Sequence, residues 1–225
     1  MAAPGGAGGP VVVGDAGYGE ATVFRLELTA RGRPYVMAVN GATSAHAGDA
    51  RPITRERHGT TGRPPQPAYP DKPGSLRQLA LANADQVRHV RWRQGTKATK
   101  GNPTADMTSH FIAIPVRPAN RNIPRGDDGS LPECWLLAEW PPHADEPTDY
   151  WLSTLPDHTP IDELVRLAKI RWRIEHDYRE LKHGIGLDHF EGRSYPGWHR
   201  HVTLAVLAQA FCTKIRTDPK APTPG

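Results

Sequence analysis

The sequence around two carboxylates, Asp15 and Glu175, predicts that each lies at a defined position in a strand–turn or helical element. Asp15 follows the apolar, β-branched run 11–13 and precedes Gly17. A buried strand that delivers an aspartate at its carboxyl end commonly places it at the mouth of a site. Glu175 lies in a helix predicted over 160–183, which Thr159 caps and Gly184 ends. Both residues are therefore candidate functional residues.

The predicted helix 160–183 carries its charges on two sides. One stripe, at steps of four and three residues, starts apolar and then becomes charged, which places its members one above the next. Its members are Leu164, Ala168, Arg171, Glu175, Tyr178 and Lys182. The opposite side is predicted to be solvated and holds Arg166, Lys169, Arg173, Asp177 and Glu180.

The charges of the first stripe lie on the side that is expected to face protein. Buried ions are costly unless they are paired, bound to a metal or used in chemistry. The alternative is an exposed Arg171–Glu175 pair, which would contribute roughly a few tenths of a kcal/mol. The helical pattern alone leaves both interpretations open.

The elements around these residues predict an α/β protein. Strand, helix and strand over 11–40 form a first block, and residues 75–157 contain four candidate strands, 86–93, 109–117, 134–140 and 149–154. The predicted segments are a flexible leader 1–10, a partial core 11–40, a long loop 41–74, a β-rich insertion 75–157, C-terminal helices 158–216 and a disordered tail 217–225. A helix over 197–216 is apolar nearly all round, which predicts burial.

Composition excludes several classes of protein. The 225 residues include two cysteines, Cys134 and Cys212, so there is no disulfide framework or zinc ribbon. There is no secretory signal and no apolar run long enough to span a membrane. We therefore expect a soluble, cytoplasmic protein. The net charge of +4 is compatible with a nucleic-acid partner but indicates one only weakly.

The C-terminal third resembles a known transposase family. Residues 171–175 with Lys182 match the Arg-(3)-Glu-(6)-Lys part of the signature Tyr-(2)-Arg-(3)-Glu-(6)-Lys. This signature marks insertion-sequence DDE transposases with a ribonuclease-H-like core. The segments 178–182, 186–194 and 197–199 look like the actinobacterial branch of that family. Upstream, residues 15–18 resemble its second motif, an aspartate at a strand end.

The chain departs from the family pattern at two points. Ala168 stands where the signature has its tyrosine, and Tyr178 lies on the same stripe two turns later. The family's first catalytic aspartate lies many tens of residues before the second, whereas none of the fourteen residues before Asp15 is acidic. We therefore expect an N-terminally truncated, catalytically inactive fragment with a partial ribonuclease-H-like core.

The resemblance implies Mg²⁺-dependent (or Mn²⁺-dependent) DNA strand cleavage and strand transfer. Asp15 and Glu175 would be catalytic metal ligands, and Arg171, Lys182 and Tyr178 would bind DNA phosphates. The implied partners are transposon-end and target DNA, and a second copy or a full-length transposase as a dimer. The alternative is a non-catalytic DNA-binding or regulatory fragment that interferes with a full-length transposase.

Two further residue groups have competing interpretations. Five histidines crowd the C-terminal third without the spacing of a zinc hydrolase, namely His176, His183, His189, His199 and His201. Four tryptophans of the predicted insertion could pack in a core or stack on unpaired bases, namely Trp92, Trp135, Trp140 and Trp151. Core packing is the expected role for each of them.

Overall fold

The computed structural model describes residues 9–54, 56, 65–94, 106–170 and 178–217. The chain divides into two compact units, Met1–Lys169 and Ile170–Gly225. The strands are β1 (Val12–Gly14), β2 (Tyr35–Val39), β3 (Ser44–Ala47), β4 (Gly74–Ser75), β5 (Arg88–Gln94), β6 (Asp106–Pro118), β7 (Cys134–Glu139) and β8 (Asp149–Ser153). The helices of the first unit are α1 (Ala16–Gly19), α2 (Thr22–Ala30), α3 (Leu76–Ala82) and α4 (Ile161–Lys169).

The eight strands form one mixed sheet. Its order is β1-β2-β8-β7-β6-β3-β4, and β5 pairs with β6. The β1–β2 pair is parallel and the other pairs are antiparallel. This mixed α/β architecture confirms the predicted fold class, and it is compatible with a partial ribonuclease-H-like core. The β-rich segment joins the first block directly, because β8 pairs with β2.

Both faces of the sheet are buried. Alternate residues of a strand point to opposite faces, so Leu136 and Leu137 belong to different core clusters. Leu28 of α2 and Leu76 of α3 contribute to the first cluster. Leu164 of α4 contributes to the second, which we call the α4 face of the sheet. Helices therefore cover the apolar residues on each side.

The tryptophans of the β-rich segment pack in these clusters. Trp151 is buried on the α4 face, and Trp92 and Trp135 pack against the same cluster. Trp140 packs against the cluster on the other face. The expectation that these four residues serve core packing is confirmed.

Most predicted elements of the first unit correspond to observed ones. The predicted strand 35–39 is β2, and the predicted strands 134–140 and 149–154 are β7 and β8 within a residue at the ends. A capping box between Ser75 and Gln78 begins α3. Within 41–74 the structure contains β3, which pairs with the end of β6. The proposed domain boundaries stay predictions.

The second unit contains a π-helix, Glu180–Gly184, and the long helix α5, Tyr195–Thr217. His201 of α5 contacts the carbonyl oxygen of Gly186 through its Nε2 atom at 2.9 Å. Gln209 donates to Glu180 at 3.1 Å. These contacts hold one side of α5 against the segment that precedes it.

The prediction that α5 is buried is wrong. Leu204, Leu207 and Phe211 are 67%, 59% and 64% exposed, whereas Ala205 is buried. Apolar residues are spread around the helix, so a single packed stripe leaves the others facing outward. In the described part of the chain, no helix is long and apolar enough to cross a membrane.

Candidate functional site

Asp15 lies where the sequence predicts it, at the carboxyl end of β1. Its backbone is extended, with φ −82° and ψ −179°, and it caps the amino end of α1. Its carboxylate accepts a hydrogen bond from the backbone N–H of Tyr18 at a long 3.4 Å. Within the residues that the structure describes, no cation pairs with this carboxylate. The oxygens of Asp15 therefore retain capacity to accept further bonds or to bind a cation.

A close approach of backbones fixes the turn after Asp15. A β-carbon added at Gly19 would lie 1.8 Å from the carbonyl oxygen of Ala38 in β2. A side chain at this position would therefore push α1 away from the sheet. The glycine lets α1 lie flat against β2, which holds Asp15 at the strand end.

Asp15 and Glu139 each lie at the carboxyl end of a strand, at the same edge of the sheet. Val11 and Val13 pack against the cluster on the α4 face, whereas Val12 packs against the opposite one. Asp15 directly follows Gly14, the last residue of β1. Because β7 runs parallel to β1 through the pairings of β2, β8 and β7, Glu139 ends its strand at the same edge of the sheet.

Glu139 forms an ion pair with Lys169, the last residue of α4. Glu139 is 6% exposed. The Lys169 ammonium lies 5.3 Å from the ring centroids of Trp92 and Trp151 and 5.9 Å from that of Phe111. We call these three rings the aromatic cage. A cation that close to several ring faces is attracted by their electrons.

Lys169 was predicted to lie on the solvated side of the long helix, and that prediction is wrong. The Lys169 side chain is 23% exposed, because its ammonium lies against Glu139 and the three rings of the cage. Arg166, on the same predicted side, is exposed and pairs with Glu163 at 2.8 Å. Hydrogen bonding from Arg166 lowers the pKa of Glu163 below its ordinary value.

Tyr178 and Lys182 are brought together in the second unit. The Lys182 ammonium lies 4.6 Å from the ring centroid of Tyr178, as their four-residue spacing predicts. Tyr178 is 52% exposed. These two residues of the predicted stripe therefore present an aromatic ring and a cation together at the surface.

Arg171 and Glu175 lie outside the described residues, as does His176. The predicted stripe is thus observed at Leu164 and Ala168 in the first unit, where both pack on the α4 face, and at Tyr178 and Lys182 in the second. Among the described residues, no three side chains of His, Cys, Asp or Glu converge on a possible metal position.

Burial disfavours a thiol as the reactive group in the first unit. It raises the pKa of the Cys134 thiol to about 12, which keeps the sulfur protonated and unreactive at neutral pH. Burial likewise raises the pKa of Tyr35 to about 12. Neither the Cys134 thiol nor the Tyr35 hydroxyl is therefore ionised at neutral pH.

The sequence-based interpretation missed Glu139. Its signal was present, because Trp135, Leu137 and Glu139 alternate along β7 and two inward-facing apolar residues precede the acid. An acidic residue on the inward side of an apolar strand needs a cationic partner. That requirement points to a lysine or arginine on the helix that covers the strand.

Comparison with known families gives a match over the N-terminal part of the chain. The family model described as DDE superfamily endonuclease matches residues 3–99, a span that includes Asp15 and does not reach the segment 171–182. Comparison with curated proteins finds no match. The similarity of residues 3–99 to DDE superfamily endonucleases supports a DDE transposase-like family, and with it a transposase or nuclease type of function.

Proposed function

We propose that the chain is part of an insertion-sequence DDE transposase of the Tyr-(2)-Arg-(3)-Glu-(6)-Lys type, which acts on transposon-end and target DNA. One observation carries the proposal: Asp15 lies at the carboxyl end of β1, inside the span that matches DDE superfamily endonucleases. The spacing of Arg171, Glu175 and Lys182 supports it from the other end of the chain.

The proposed metal ligands are Asp15 and Glu175. The donor set fits Mg²⁺ or Mn²⁺ because carboxylate oxygens are the hard ligands that such ions prefer, and Asp15 has only a long capping hydrogen bond among the described contacts. Bound ions would supply activation of the attacking oxygen and stabilisation of the leaving oxygen in DNA cleavage and strand transfer. The two carboxylates come from segments that belong to different units.

Arg171, Lys182 and Tyr178 are the proposed contacts to DNA phosphates. A guanidinium binds phosphate through two parallel hydrogen bonds, and an ammonium binds it as a point charge. The Tyr178 ring beside the Lys182 ammonium limits the directions in which that lysine extends. The Tyr178 hydroxyl can donate a hydrogen bond to a phosphate oxygen.

We expect the 225-residue chain by itself to show no Mg²⁺-dependent strand cleavage. The family chemistry uses three carboxylates, whereas Asp15 and Glu175 supply two. Nicking of a supercoiled plasmid with Mg²⁺ or Mn²⁺ checks this expectation. Cleavage that disappears in Glu175→Ala would show that the third carboxylate is supplied from elsewhere in the chain or by a second copy.

DNA binding tests the proposed phosphate contacts. We expect weak binding to duplex DNA, with a Kd of about 10⁻⁴ to 10⁻⁶ M that rises steeply with salt. Lys182→Met should weaken binding and lower the salt slope by about one phosphate contact. Arg179→Met is the matched control, because Arg179 is an exposed cation one residue from Tyr178.

Fluorescence anisotropy over a range of salt concentrations measures both quantities. Equal losses in Lys182→Met and Arg179→Met would show general charge attraction instead of a defined contact. Binding that does not change with salt, or no binding at low salt, would contradict the proposed DNA interaction.

A further inference from the structure

The helix α2 begins without a side-chain cap. Its N-cap residue is Ala21, which makes no side-chain hydrogen bond, and no acidic residue lies in the first turn. In the part of the chain that the structure describes, the backbone N–H groups of residues 22–24 have no hydrogen-bond acceptor. The amino end of an α-helix combines such N–H groups with a partial positive charge, which favours an anion.

A buried arginine lies beside this helix end. Arg25 is 4% exposed, and its side chain returns toward the start of α2, where Nη2 donates to Thr22 Oγ1 at 3.3 Å. Its Nε atom is buried without a hydrogen-bond partner among the described residues. Asn120 donates to the same Thr22 oxygen at 3.1 Å, and its buried Oδ1 atom also has no partner there. We call Thr22, Arg25 and Asn120 the α2 cluster.

The positive charge of Arg25 has no counter-charge beside it. No carboxylate of the described residues forms an ion pair with Arg25. The two ionisable groups near it are the Tyr35 hydroxyl and the Cys134 thiol. Burial raises the pKa of each to about 12, so both are neutral at neutral pH. Because a buried ion is costly unless an opposite charge compensates it, the missing partner is an anion.

We propose that the α2 cluster and the N–H groups at the start of α2 bind a phosphate group. A phosphate can accept hydrogen bonds from the Arg25 guanidinium and from backbone N–H groups at the same time. Rotation of the Asn120 amide exchanges Oδ1 and Nδ2, which supplies a further donor. Thr22 and Asn120 are half-buried, so the cluster reaches the surface at these residues.

The source of the phosphate is either DNA or the free ion, which share this chemistry. A DNA phosphate at the α2 cluster rests on the function proposed above, whereas binding of inorganic phosphate does not. A buried water molecule is the simpler occupant, since it can accept from Arg25 Nε and donate to Asn120 Oδ1. Water carries no charge and leaves the guanidinium uncompensated. Only a charged ligand makes the stability of the protein depend on the anion present.

Thermal unfolding of the full chain, without DNA or metal, tests the proposal with inorganic phosphate as the probe. We expect about 10 mM phosphate to raise the melting temperature by about 3 °C over chloride at equal ionic strength, as for a ligand with a Kd of about 1 mM. Arg25→Met should abolish this rise. Arg31→Met is the matched control, because it breaks an exposed pair with Glu27 on the same helix and should retain the rise.

A second variant keeps the test decisive if Arg25→Met does not fold. Ala21→Asp places a carboxylate at the N-cap of α2, where it can accept from the backbone N–H groups and oppose the Arg25 charge. We expect Ala21→Asp to be more stable than the original protein in chloride and insensitive to phosphate. Phosphorus NMR then identifies the source, since a short DNA duplex that displaces inorganic phosphate indicates a DNA phosphate and a duplex without effect indicates the free ion.

Two results would overturn the proposal. The first is a melting temperature in phosphate equal to that in chloride. The second is a rise in phosphate that is the same in the original protein, Arg25→Met and Ala21→Asp. Failure of the proposed function is distinguishable, since it would appear in phosphate-free buffer as Mn²⁺ binding that is insensitive to Asp15 and Glu175.

Discussion

Phe111 and Phe211 show how differently the two units treat apolar side chains. Phe111, in β6, is fully buried between the sheet and α4. Phe211, in α5, is 64% exposed. Both occur in apolar stretches of the sequence, so apolar content alone does not determine burial. The difference lies in the surroundings, because helices cover each face of the sheet while much of α5 has no such cover in its own unit.

Alanine substitutions of the two phenylalanines test this difference in burial directly. Phe111→Ala should destabilise the first unit by about 4 kcal/mol, because it removes a large ring from a packed core and leaves a cavity. Phe211→Ala should change the free energy of unfolding by less than about 0.5 kcal/mol, as is usual for surface positions. Urea unfolding followed by circular dichroism measures both changes.

A large loss of stability in Phe211→Ala would contradict the exposure of α5. It would show that something covers the helix in solution, such as another part of the chain or a second copy. Sedimentation of the original protein at several concentrations would then separate these two explanations.

Two glycines, Gly19 in the first unit and Gly184 in the second, test the difference in packing at the backbone. Gly19→Ala should destabilise the protein by about 3 kcal/mol, because the new β-carbon would overlap the Ala38 carbonyl oxygen. Gly184→Ala should have a much smaller effect, because a β-carbon there meets nothing within 4 Å. Thermal unfolding of the two variants under identical conditions provides the check. Equal effects would contradict the close packing of α1 against β2.

The sequence predicted strands and turns best where the spacing of neighbouring residues determines which of them are buried. Alternation in 134–140 and 149–154 located β7 and β8, and the glycine-rich turn after 11–13 located Asp15 at a strand end. The same reasoning missed β3, because its four residues, Ser-Ala-His-Ala, carry no strong alternation and depend on pairing with β6.

Residue spacing did not predict the contacts of residues whose partners are distant in the sequence. Lys169 was assigned to a solvated side because the helical wheel contains no information on the strands around the end of α4. Its contacts with Glu139 and Trp92 join residues that are 30 and 77 positions apart in the sequence. The helical spacing did place Tyr178 beside Lys182, since that contact is local.

A double-mutant cycle on Mn²⁺ binding, measured by isothermal titration calorimetry, tests whether Asp15 and Glu175 bind the same metal ion. The variants are Asp15→Asn, Glu175→Gln and the combination, with the exposed acids Glu20→Gln and Glu191→Gln as controls. If Asp15 and Glu175 share one metal site, each single variant should weaken binding by about tenfold or more. The combined loss should then be smaller than the two single losses added together. Single losses that add fully, or that are no larger than those of the controls, would contradict a shared metal site.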